Sequence, residues 1–196
     1  MRILVVGATG TIGQAIVAAL GNRHDLVLAS RHRAHEQVDL GSPESIRALY
    51  GRVGRLDAVI SAAGQAAWKP LAELTDADFA FSLGNKLMGQ VNLVRLGVDA
   101  VTDGGSFTLT SGILARKPSP NSAAVSVVNA GVEAFARAAA LELPRGLRVN
   151  AVSPPWVSET LRAMGGDASQ GLPAARVATA YVTSAEGTAT GQVLEP

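Results

Sequence analysis

The sequence predicts an α/β fold, a doubly wound parallel sheet with helices on both faces. Two observations carry this. Short apolar, β-branched runs alternate with longer stretches of helical spacing along all 196 residues. The runs read as strands buried on both faces, as a parallel sheet requires. No internal repeat and no low-complexity linker divides the chain, so one domain spanning 1–196 is expected, long enough for a sizeable core.

Ile3 to Val6 is the first strand, stopped by Gly7. Gln14 to Leu20 reads as a helix that ends near Gly21. "DLVLAS" is a second strand and "EQVDL" a short third one. Pro43 to Gly51 has helical spacing, with Ser42 as N-cap ahead of Pro43 and Glu44. "LDAVISAAG" is a buried strand that runs into a loop. Thr75 to Val101 reads as one long helix, capped by Thr75 and carrying Asp76 and Asp78 in its first turn. "GSFTLTS" is a strand, Ser122 to Leu143 a second long helix, and "LRVNAV" a strand closed by "SPP". "MGGDASQGLP" reads as a loop, Pro173 to Thr183 as a last helix and "GQVLE" as a last strand.

Composition narrows the function classes. The apolar share is 47% but aromatics are only 4%, so aliphatic side chains must do most of the packing. The net charge is +1 and the Lys and Arg are scattered, which argues against nucleic-acid binding. There is no cysteine, hence no disulfide, thiolate nucleophile or thiolate metal site. His32 and His35 have no partner at metal-ligand spacing, so no metal is expected. The apolar run of "MRILVV" is too short for a secretory leader, and no segment is long and apolar enough to span a bilayer. A cytoplasmic protein is expected, with no membrane partner.

"GATGTIG" sets Gly7, Gly10 and Gly13 between the first strand and the first helix. One glycine makes a tight turn, one lets the backbone approach a pyrophosphate, and one lets helix and strand pack closely. The helix N-terminus then offers free N–H groups to the phosphates, with Thr9, Thr11 and Ile12 in the same loop. The second strand ends "ASRHR". An acid here holds the ribose hydroxyls of NAD, whereas an arginine accommodates the 2′-phosphate of NADP, so Ser30 and Arg31 favour NADP(H), with Arg33 assisting. Lys69, Arg116 and Lys117 flank the expected mouth of the cleft.

"VVGATGTIG", "VDL", "SAAG", "TLTSG", "AGVEAFARAAALEL" and "LRVNAVSPPWV" occur in the order and spacing of the short-chain dehydrogenase/reductase family, which the chain resembles over nearly its whole length. The resemblance implies a seven-stranded Rossmann-like sheet and a nicotinamide cofactor. It implies that Asp39 and Leu40 flank the adenine and that Ala62, Ala63 and Gly64 line the cofactor. It sets Pro154 and Val157 where the family holds the nicotinamide carboxamide. Pro155 replaces the usual glycine and removes a backbone donor.

The departures fall on the catalytic residues. The family's Tyr-x-x-x-Lys maps onto Val125 and Asn129, and both residues are absent. The family's serine matches Ser111. Its asparagine in the first long helix matches Lys86, with Asn85 one position off register. Lys and Asn have thus changed places between two facing helices. Lys86 is expected to reach the nicotinamide ribose or the substrate oxygen from the opposite side, with a pKa lowered by burial. Ser111 is expected to donate to a carbonyl. Tyr50 and Tyr181 do not replace the missing tyrosine.

Two functions follow as expectations. The first is an NADP(H)-dependent oxidoreductase acting on a small carbonyl or alcohol through Ser111, Lys86 and Asn129. The second is an NADP(H)-binding sensor or interaction protein without turnover, which Val125 favours. Isomerisation or elimination assisted by Lys86 is a third possibility on this scaffold. The short Gly-rich segment after "SPPWV" points to a small substrate. Pairing of copies through the two long helices is the expected assembly, a homo-oligomer.

Overall fold

A computed structural model describes residues 1–196. Seven strands form one wholly parallel sheet in the order β3-β2-β1-β4-β5-β6-β7. They are β1 (Arg2–Val6), β2 (Asp25–Ser30), β3 (Glu36–Gln37), β4 (Leu56–Ser61), β5 (Val101–Thr110), β6 (Arg148–Val152) and β7 (Val193–Leu194). The helices are α1 (Thr11–Leu20), α2 (Pro43–Val53), α3 (Asp76–Ser82), α4 (Met88–Gly97), α5 (Ala123–Ala139), α6 (Ser158–Ala163) and α7 (Ala174–Glu186).

Period-two alternation splits each strand between two apolar layers. Ile3 and Val5 of β1 join Ile16 and Leu20 of α1 and Val177 and Tyr181 of α7 on one face. Leu4 and Val6 join Leu49 of α2, Leu93 of α4 and Val132 of α5 on the other. With few aromatics available, Phe107 and Tyr181 are the bulkiest fully buried side chains, and Ile and Leu supply most of the rest. Each such burial contributes about 1.5–3 kcal/mol relative to exposure. The chain winds outward from β1 to β3, then returns to start β4 on the other side of β1. Strand order therefore reverses between β1 and β4, and a crevice opens at their carboxyl ends.

Local signals placed the caps well. The Ser42 hydroxyl accepts from the Ser45 N–H, and Thr75 forms a reciprocal capping box with Asp78. The expected helix over Thr75–Val101 is instead interrupted. α3 and α4 are separated by a π-helical turn, Leu83–Leu87, and Val101 already belongs to β5. The turn carries Gly84 and Asn85, weak helix formers. Asn85 Oδ1 accepts from the Gln65 N–H of the loop after β4 at 2.8 Å, a tertiary contact that favours the wider turn.

The segment after β6 is also more ordered than a plain loop. α6 forms there, followed by a single turn at Ala168–Gln170. Val157 bridges Leu172, the Ser158 N–H donates to Leu172 O and the Leu172 N–H to Trp156 O. No helix covers the crossover between β2 and β3, and no helix is long and apolar enough to cross a membrane.

Candidate active site

The first turn after β1 is built for close approach. Gly7 has φ +85°, and a Cβ there would lie 2.6 Å from the Ala62 carbonyl oxygen. A Cβ at Gly13 would run into the Gly7 carbonyl. Gly10 is the N-cap of α1 and offers no side chain, and no acid stands in the first turn. The leading N–H groups of α1 are therefore free for an anion.

A cavity of about 290 Å³ lies against this turn. It is lined by Gly7, Thr9, Gly10, Ser30, Arg31, Arg33, Asp39, Leu40 and Ala62 to Gly64. Arg31 donates from Nη2 to Asp39 Oδ2 at 3.3 Å, with both side chains about half exposed. The Arg33 N–H donates to Ser30 Oγ at 3.0 Å, which sets the loop that carries both guanidinium groups. A second cavity, of about 280 Å³, adjoins the first and shares Ala62, Ala63 and Gly64 with it. Ile12, Pro154, Pro155, Trp156, Val157 and Thr160 line it, together with Lys86, Ser111, Val125 and Asn129. Thr11 and Gly13 line neither cavity: Thr11 is exposed on α1 and Gly13 is packed beneath the turn.

Lys86 and Asn129 thus meet in one cavity. Lys86 stands in the π-helical turn, and its Nζ donates to the Ser111 carbonyl oxygen at 3.4 Å. Burial pulls its pKa down to about 8. Gly64 has φ +137°, and a Cβ there would lie 2.8 Å from Lys86 Cγ. Asn129 is 2% exposed. Its Nδ2 donates to Gly112 O at 3.4 Å, and its Oδ1 has no partner. A buried acceptor left unpaired is costly, and this one borders the cavity.

Ser111 departs from expectation. Its hydroxyl is turned into α5, within 2.8 Å of Glu133 Oε1 and 3.1 Å of the Asn129 carbonyl oxygen. Arg116 Nη1 donates to both Glu133 oxygens at 2.8 Å, and Arg116 Nη2 to Ser153 Oγ and Glu195. The single hydroxyl proton is therefore committed to a buried carboxylate rather than offered to the cavity. Glu133 lies four residues after Asn129, on the same helix face, and that spacing is the one sequence signal that could have pointed to it. Arg116 and Lys69 are bound locally, Lys69 Nζ donating to Asp78 at 2.8 Å.

Two other features were not legible. Trp156 lines the second cavity and meets Trp68 edge to face, with ring centroids 5.7 Å apart. Asn85, off the expected register, lines the first cavity. Tyr50 and Tyr181 are buried, which raises both phenols, and their hydroxyls pair with Leu93 O and Thr110 Oγ1 at 2.6 Å.

A family model described as enoyl-(acyl carrier protein) reductase matches residues 11–189. Hydroxynaphthalene reductase from Aspergillus fumigatus is 33% identical over 130 residues, 64% of this chain and 48% of that protein. Versicolorin reductase 1 from Aspergillus parasiticus is 29% identical over 176 residues, 77% of this chain and 67% of that protein. The chain spans about half the length of the first curated relatives it matches. Among solved structures, a Listeria innocua protein is 41% identical with a TM-score of 0.96, covering 100% of this chain and 98% of that one. A small-chain dehydrogenase in complex with NADPH is 26% identical with a TM-score of 0.87, covering 100% and 96%.

Proposed function

The chain belongs to the short-chain dehydrogenase/reductase family, and from that premise we propose that it is an NADP(H)-dependent oxidoreductase for a small carbonyl or alcohol, with a rearranged active site. Its relatives are oxidoreductases of this family, and one similar structure holds NADPH. The residues present fit the cofactor. The Gly7–Gly13 turn leaves the space that a Cβ would fill, and the uncapped N-terminus of α1 receives the pyrophosphate. Asp39 and Leu40 flank the adenine. Ser30, Arg31 and Arg33 take the 2′-phosphate, for which guanidinium forks are well suited. Ala62, Ala63, Gly64, Pro154 and Val157 line the nicotinamide end. When bound, the cofactor supplies or accepts a hydride.

The observation that carries this reading is the meeting of Lys86 and Asn129 in the second cavity. Asn129 Oδ1, an unpaired buried acceptor, is suited to a ribose hydroxyl. Lys86 binds the substrate oxygen and exchanges its proton, a role that a lysine with a pKa near 8 can perform close to neutral pH. Ser111 serves through its carbonyl, which holds the ammonium, and not through its hydroxyl. Copies pair through the α3–α4 segment and α5, where Phe81, Met88 and Val127 are exposed. Sedimentation velocity checks the pairing.

A second reading, an NADP(H)-binding sensor, draws on a specific observation. Positions 111 and 125 offer no hydroxyl proton to the cavity, because Ser111 points at Glu133 and Val125 has none. Titration with NADPH and NADH, followed by a panel of carbonyls, separates the two. Selective NADPH binding with turnover supports the enzyme, and binding without turnover supports the sensor.

A further inference from the structure

The second cavity carries an unbalanced charge. Lys86 lines it, and no aspartate or glutamate does. Lys86 takes part in no ion pair, and its hydrogen bond to the Ser111 carbonyl is long at 3.4 Å. Glu133, on the far side of Ser111, is already clamped by Arg116. A partly buried ammonium without a counter-charge is expensive and is relieved by an anionic ligand. Burial has lowered its pKa to about 8, which leaves most of it charged at pH 7.

Apart from the neutral polar residues Thr110, Ser111, Asn129 and Thr160, the walls include Ile12, Ile113, Leu114, Val125 and Trp156, the last in contact with Trp68. The cavity measures about 280 Å³, and part of its wall belongs to the residues assigned to the nicotinamide end, so it leaves room for a compact ligand only. A single charged pole facing an apolar wall is the complement of a compact acid.

We infer that this cavity takes a small apolar carboxylic acid, its carboxylate on Lys86 Nζ and its ring or branched chain against Ile113, Val125 and Trp156. This rests on the proposed reading in one respect, that the cavity is the substrate half of the groove. The substrate class narrows to an apolar hydroxy acid or the corresponding oxo acid. The two differ by one hydride, carried by the cofactor, and one proton, exchanged through Lys86, whose ammonium has donors enough for both the carboxylate and the adjacent oxygen.

The test is isothermal titration of the NADP⁺-saturated protein with benzoate and with benzyl alcohol, a matched neutral probe. Wild type, Lys86→Met and Lys86→Gln are compared, each first shown to unfold cooperatively. A charge-assisted contact predicts that wild type binds benzoate at least about tenfold more tightly than benzyl alcohol. That preference should vanish in both variants. Equal binding of the two probes by wild type, or a preference for benzoate that survives in either variant, overturns the inference. If NADP⁺ itself does not bind, the cofactor reading fails on its own, and the same comparison without nucleotide still decides whether the cavity prefers acids.

Discussion

Lys86 Nζ donates to the carbonyl oxygen of Ser111 across 3.4 Å, tying the π-helical turn between α3 and α4 to the end of β5. This contact holds an ammonium in the cavity that Asn129 and Val125 also line, the positions onto which the family's lysine and tyrosine map.

The first prediction concerns stability. The folded pKa of Lys86, about 8, lies below its ordinary value of 10.5. The unfolded chain therefore binds more protons than the native state between pH 8 and 10.5. The cost of the buried charge is full below pH 8 and fades as pH rises through that window. Lys86→Met removes the cost and should be the more stable protein at pH 7, by about 1–3 kcal/mol. Its advantage over wild type should shrink by pH 10. Urea unfolding of both proteins at the two pH values checks this, and a constant difference contradicts it.

The second concerns the 2′-phosphate. Arg31 shares its charge with Asp39 through a half-exposed pair, which is weak. Arg33 has no acidic partner. Arg31→Ala and Arg33→Ala should each weaken NADPH binding about tenfold or more, as the loss of a charged hydrogen bond does. NADH binding should change little. Fluorescence titration reads both affinities.

The third uses two glycines. Gly64→Ala meets both φ +137° and Lys86 Cγ at 2.8 Å. It should lose about 1–3 kcal/mol and displace the ammonium. Gly84→Ala, whose Cβ would meet open space in the π-helical turn, should be neutral or stabilising by up to about 1 kcal/mol. Thermal unfolding of the two variants distinguishes strain from mere loss of glycine.

The fourth concerns the clamp under Ser111. Arg116→Met strands the Glu133 carboxylate, which is 4% exposed, and should cost about 3 kcal/mol or more. Glu133→Gln on the same background removes the stranded charge and should recover part of that loss. Chemical denaturation of the single and double variants measures the recovery.

What the sequence revealed was mostly local. The Gly7–Gly13 turn, the Ser42 and Thr75 caps and the buried strands declare themselves within a few residues. β2, over Asp25–Ser30, coincides with the expected "DLVLAS". Lys86 and Asn129, matched to each other through the family resemblance, line one cavity. The π-helical turn was not legible, since Asn85 reaches a loop twenty residues away. The direction of the Ser111 hydroxyl was hidden for the same reason, being fixed by Glu133 and Arg116 on other segments. α6 is six residues long, too short for periodicity to announce it.

On the proposed reading, Lys86 takes the proton-handling role that Val125 cannot fill. The most direct measurement is carbonyl-dependent oxidation of NADPH by wild type and Lys86→Met, with NADPH affinity measured alongside. Proton transfer by Lys86 requires turnover in wild type and a fall in kcat of about a hundredfold or more in the variant, with NADPH binding retained. Turnover that survives in Lys86→Met, or NADPH binding without turnover in wild type, would contradict it.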